Sequence, residues 1–132
     1  MIRVYALVAA GGAIGSLARF WIATTIARLT GPNLSWVGFP WGTLLVNIAG
    51  SLAIGCLAAT VASPRTPNPA SLQAFAMVGL CGGFTTFSAF SLQTIDLLRS
   101  GHSAQAITNI IASVALCLAA TAGGYALAAN AT

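Results

Sequence analysis

The sequence predicts an all-α integral membrane protein with four transmembrane helices. Two observations carry this. Of 132 residues, 58% are hydrophobic and only 5% are charged, whereas soluble domains carry roughly 25% charged residues. The apolar residues also gather into four runs, each reaching the roughly 20 residues that span a hydrocarbon core. One acid and five arginines cannot cover a water-facing surface. The length allows one domain, residues 1–132.

The first run, residues 4–27, ends before "RLTGPN". Arg3 followed by apolar residues mimics a secretion signal, but Gly11, Gly12, Gly15 and Arg19 follow at helical spacing and make it a first span. The second run, 41–62, ends at the Pro-rich "SPRTPNP". The third, 72–98, ends at "RSGHS", and the fourth is 104–128. Short loops predict antiparallel neighbours. Trp21, Trp36, Trp41 and Tyr125 fall near span ends, where amphipathic rings settle at the lipid interface.

Several function classes are excluded. The net charge of +4 comes from Arg3, Arg19, Arg28, Arg65 and Arg99, which are scattered, so no basic patch awaits nucleic acid. Cys56, Cys81 and Cys117 sit inside apolar runs without C-x-x-C spacing, as small buried hydrophobes rather than a disulfide or metal site. No nucleophile–base pair appears, and His102 lies in a loop, so the chain reads as no enzyme. Asp96 and Arg99 stand three apart and predict an interfacial ion pair.

Orientation is weakly specified. With the N-terminus in the cytoplasm, Arg3 and Arg65 lie inside and Arg28 and Arg99 outside, setting aside Arg19 within the first span. The positive-inside rule then has nothing to act on. This balance suggests insertion both ways up and an antiparallel, dual-topology homodimer; a fixed topology is equally compatible with the charge alone.

Polar residues inside the spans fall into stripes. Thr43, Asn47, Ser51 and Gly55 recur every four residues in the second span, and Asn109, Ser113, Cys117 and Thr121 do so in the fourth. Residues four apart share a helix face. Gly11/Gly15 and Ser51/Gly55 read as close-approach pairs between helices. A membrane asparagine needs partners, on another helix or along a wet pathway, and for Asn47 both remain open. Arg19 reads as structural.

The third run holds "GLCGGFTTFSAF", residues 79–90. Gly82 and Gly83 cost about 1 kcal/mol each in helix propensity, and the β-branched Thr85 and Thr86 follow. Together they predict a helix broken mid-membrane, which is tolerated only where it is buried or lines a cavity. Such a break frees carbonyls for a cation and N–H groups for an anion; a kink with no ligand is the plainer alternative. Phe87 and Phe90 share a face with Ser91 and Thr94. Packing explains phenylalanines, but ring edges are positive and could hold a small anion without a fixed charge.

"GLCGGFTTFSAFS", with "GTLLVNIAGSLAIG" in the second span and "GGAIGSLARF" in the first, resembles the Fluc (CrcB) family of fluoride channels across all four spans. The resemblance implies an antiparallel dual-topology homodimer in the bacterial inner membrane, passing fluoride out of the cytoplasm. It implies a central sodium ion on main-chain carbonyls of Gly82 and Thr85, with Gly83 structural beside them. It implies an anion pathway of Asn47, Phe87, Ser88, Phe90, Asn109, Ser113 and Cys117. This chain departs from the family at Ala89, where a threonine is common, at Cys117, often serine, and at Phe84, often leucine. The rival reading is a small dual-topology multidrug/proton antiporter. That chemistry needs a membrane-embedded carboxylate, and the sole acid is Asp96.

Overall fold

The computed structural model describes residues 1–30 and 38–131, so Trp36 lies outside the described residues. It is helical nearly throughout. Helix α1 is Ile2–Leu29 and α2 is Trp41–Ala62. The third span, Pro69–Arg99, consists of α3, residues 69–84, and α4, Phe87–Arg99. Helix α5 is Ser103–Ala129. Four spans are long and apolar enough to cross a membrane. The helices overrun the apolar windows by a few residues because their last turns are polar, as at Arg28 and Arg99.

Small residues decide which helices touch. Helix α1 lies along α3, where a Cβ on Gly11 would overlap the Phe75 carbonyl oxygen and one on Gly15 the Leu80 carbonyl oxygen. Helix α2 lies along α5 in the same way, through Gly55 at the Thr121 carbonyl and Gly124 at that of Leu52. Without a hydrophobic force between helices in lipid, backbone proximity supplies the dispersion contacts. Hydroxyls within the spans satisfy themselves one turn back: Thr24 donates to the Phe20 carbonyl at 2.7 Å and Thr60 to that of Cys56 at 2.9 Å.

Most of α3 is wound more widely than an α-helix, with π-type turns over Gln73–Cys81. Its buried residues follow that pitch, Ala74 with Gly79 and Ala76 with Cys81, each five apart. The backbone then stays right-handed helical through Gly82, Gly83 and Phe84. It turns extended at Thr85 (φ −83°, ψ 158°) and Thr86 (φ −151°, ψ 114°), and helix resumes at Phe87. Of the four residues from which the sequence predicts a break, the threonines interrupt the helix and the glycines do not. Gly83 serves proximity instead, since a Cβ there would stand 2.5 Å from the Gly12 carbonyl oxygen of α1. The threonines end the helix, Thr85 closing it with its N–H and its hydroxyl, both donating to the Cys81 carbonyl at 2.9 Å.

Two further expectations meet the structure. The cysteines are free, and Cys81 is buried. The expected Asp96–Arg99 ion pair does not form among the described residues. Both side chains are exposed at the end of α4, where water competes for each charge.

Candidate functional site

The extended Thr85–Thr86 segment leaves backbone groups without helical partners, and Asn47 of α2 takes two of them. The Thr86 N–H, which in an uninterrupted helix would reach the Gly82 carbonyl, donates to Asn47 Oδ1 at 2.8 Å. Asn47 Nδ2 donates to the Thr86 carbonyl at 3.1 Å. Asn47 thus replaces a missing stretch of helical ladder, and one of its two amide hydrogens stays available. The Thr86 hydroxyl caps α4 by accepting the Ala89 N–H at 3.2 Å. It also lies 3.2 Å from the Ser88 hydroxyl.

Arg19 secures the other side of the break. Its Nε donates to the Gly83 carbonyl at 3.1 Å, where the Ser16 hydroxyl also reaches at 3.5 Å. A cation among the last carbonyls of α3 suits the negative end of that helix. Arg19 also lines a mostly apolar hollow of about 270 Å³, to which Ser16, Thr43, Thr86 and Gln93 contribute.

The break borders a groove of about 370 Å³ between α2, the third span and α5. Asn47, Phe87, Phe90, Ser113 and Cys117 line it, with Gly50, Ser51, Thr85 and Thr86. The Phe87 and Phe90 ring centroids are 5.3 Å apart and tilted by 48°, so the rings do not stack flat and offer edges as well as faces. Phe87 is 78% exposed within the single chain. No side chain lining the groove carries a fixed charge.

Behind Ser113 runs a buried polar relay. Asn109, 1% exposed, donates through Nδ2 to Thr94 Oγ1 at 2.9 Å, and Thr94 donates to the Phe90 carbonyl at 2.7 Å. The Ser113 hydroxyl, which lines the groove, donates to Asn109 Oδ1 at 3.5 Å, a long bond that is weak enough to exchange for another acceptor.

The structure therefore brings five of the seven sequence-selected pathway residues onto one groove. Asn109 stands behind it and Ser88 beside the Thr86 cap. Sequence reasoning missed Thr86 as the residue that Asn47 holds, and missed Gln93. A threonine three residues before Ala89, just ahead of a helix-periodic run, is the N-cap signal that would have found Thr86. Gln93 carries no comparable signal.

Comparison with known proteins places the chain in a family. The family model described as "CrcB-like protein, Camphor Resistance (CrcB)" matches residues 6–125. A protein of Paramagnetospirillum magneticum named fluoride-specific ion channel FluC is 47% identical, covering 94% of both chains. Its namesake from Methylobacterium radiotolerans is 45% identical over 94% of this chain and 83% of its own. That from Rhodospirillum rubrum is 47% identical over 86% of this chain and 85% of its own. With four membrane-crossing spans and relatives named as channels, the protein is a multi-pass membrane protein. The chain belongs to the CrcB-like family.

Proposed function

We propose that this chain is a fluoride-specific ion channel that lets fluoride leave the cytoplasm passively. The observation that carries this reading is the groove itself. It gathers an amide, hydroxyls and two phenylalanine rings around a helix break, with no fixed charge. Fluoride is small and strongly hydrated, so a pathway must replace its water with closely spaced donors. Asn47 supplies an amide N–H, Ser113 a hydroxyl that can turn, and the ring edges a diffuse positive potential. Weak sites in series suit conduction, where one fixed cation would hold the ion too long. The relatives' names support the same reading. The antiporter alternative lacks its carboxylate, since the sole acid, Asp96, is exposed at the end of α4 and lines no part of the groove.

The finer assembly belongs to the same proposal. Two copies pack antiparallel in the inner membrane, which the balanced arginines permit, and the Thr85–Thr86 break lies at mid-membrane. The exposed Gly82 and Phe87 then face the partner copy. A sodium ion is held by the Gly82 and Thr85 carbonyls. The donor set fits, because among the described residues no hydrogen bond reaches either oxygen, and a hard cation takes oxygen ligands. When bound, sodium supplies positive charge that holds the two breaks together.

Purified protein in liposomes tests the function. Fluoride should leave the vesicles while chloride is retained, and an imposed pH gradient should not alter the flux. Equal retention of both anions refutes the channel; flux driven by the pH gradient favours the antiporter.

A further inference from the structure

Beneath the groove, four polar groups form a one-way chain of hydrogen bonds between α5 and α4. The Ser113 hydroxyl donates to Asn109 Oδ1 at 3.5 Å. Asn109 Nδ2 donates to Thr94 Oγ1 at 2.9 Å, and the Thr94 hydroxyl donates to the Phe90 carbonyl at 2.7 Å. Ser113 and Phe90 line the groove, whereas Asn109 and Thr94 stand behind it. Asn109 and Thr94 are both buried, so bulk water does not stand in for either partner.

The order of the chain follows from its last link. A carbonyl only accepts, so the Thr94 proton is committed to Phe90 and Thr94 presents lone pairs to α5. The Asn109 carboxamide must then turn its nitrogen to Thr94, and its oxygen comes to face Ser113. With the amide reversed, its oxygen would meet a hydroxyl that has no proton to give, and a buried acceptor would go unpaired. Thr94 therefore fixes which end of Asn109 meets Ser113.

That orientation governs what Ser113 offers an ion. Facing an oxygen at the far limit of hydrogen bonding, Ser113 can move its proton to an anion in the groove and return it afterwards. Facing an N–H instead, it would accept. Its proton would then stay turned outward, strengthened as a donor by the bond behind it. The first arrangement makes a weak, reversible site; the second holds the ion longer, which conduction disfavours. We propose that Thr94 is a positioning residue for anion passage, setting the Asn109 amide so that Ser113 acts as a reversible donor. This role rests on the channel reading and needs no contact between Thr94 and the ion.

The test is a double-mutant cycle in liposomes, reading fluoride efflux through purified wild type, Thr94→Val, Ser113→Ala and the double variant. Valine keeps the shape of threonine and removes the hydroxyl, while the Phe90 carbonyl keeps its helical N–H within α4. Thr94→Val should lower efflux at least about threefold, the rate equivalent of one modest hydrogen bond. In the Ser113→Ala background the same change should have no further effect, because the group it acts through is gone. A loss through packing alone would multiply with that of Ser113→Ala instead. Thr94→Ser keeps both donor and acceptor and should conduct at the wild-type rate. Thr94→Cys, of similar size but a weak acceptor, should not. This pair carries the test where the valine variant does not fold. Losses that multiply in the cycle, or equal flux from Thr94→Ser and Thr94→Cys, overturn the proposal and leave the channel reading standing. Wild-type vesicles that release no fluoride overturn the channel reading, and this role with it.

Discussion

Replacing Asn47 by alanine separates the two jobs the structure gives this side chain. The wild-type amide accepts from the Thr86 N–H at 2.8 Å and donates to the Thr86 carbonyl at 3.1 Å. Each hydrogen bond is worth about 0.5–1.5 kcal/mol net, and a buried group left unpaired costs about 1–3 kcal/mol. Thr86 is only half-buried and borders the groove, so water can partly replace the amide. The loss should then be about 2 kcal/mol, near the sum of the two net bonds. Helix α4 begins directly after Thr86, so loosening this bracket also shifts Phe87 and Phe90. Thermal unfolding in detergent, followed by tryptophan fluorescence, reads the stability, and liposome efflux reads the flux. Asn47→Ala should lower both. Asn47→Asp keeps the acceptor for the Thr86 N–H but turns an oxygen toward the Thr86 carbonyl and puts a negative charge on the groove, so it should lose stability as well and nearly all fluoride flux. An Asn47→Ala protein that unfolds at the wild-type midpoint and conducts at the wild-type rate would refute both the bracket and the donor role.

Other substitutions follow from the same geometry. Gly83→Ala drives a methyl into the Gly12 backbone and should cost about 1–3 kcal/mol of stability; unchanged unfolding would show that α1 and α3 are not held so closely. At Gly82 an added Cβ meets only the Met77 carbonyl, at 3.8 Å, so Gly82→Val should leave the single chain folded but break up the proposed dimer, as cross-linking in membranes would show. Arg19→Leu removes the charged donor to Gly83 and should destabilise by about 1.5 kcal/mol, with only partial rescue by Arg19→Lys, because an ammonium does not reproduce the placement of Nε. Adding arginines around Arg65 should force one orientation and reduce activity until an oppositely biased copy is co-expressed; full activity of the one-way protein alone would contradict the antiparallel pair.

The helices were legible because composition and run length are one-dimensional signals. The close-approach pairs were legible for a similar reason: Gly11 and Gly15 repeat at helical spacing, and only proximity rewards a glycine there. The Asn47 side of the site was legible because an amide within a span must be satisfied. What it satisfies was not, since Thr86 lies 39 residues away and only the third dimension joins them. The interruption falls at the threonine end of the Gly82–Thr86 stretch that the sequence marks, not at its glycines. Glycine weakens a helix in isolation, but packing of Gly83 on α1 overrides propensity, and the threonines end the helix through bonds to Cys81 and Asn47. The Asp96–Arg99 pair failed because i,i+3 spacing sets opportunity, while water at the helix end sets the outcome.

The central claim is that fluoride passes along the groove by way of the phenylalanine ring edges. The most direct measurement is fluoride efflux through purified Phe87→Ile in liposomes, beside a check that the protein remains folded and assembled as in the wild type. Isoleucine keeps apolar bulk but removes the ring quadrupole. Ring-edge stabilisation of about 1.4 kcal/mol at the barrier corresponds to about a tenfold change in rate. The account predicts a folded protein whose fluoride flux falls at least about tenfold. Phe87→Ile conducting at the wild-type rate in a folded assembly would contradict it.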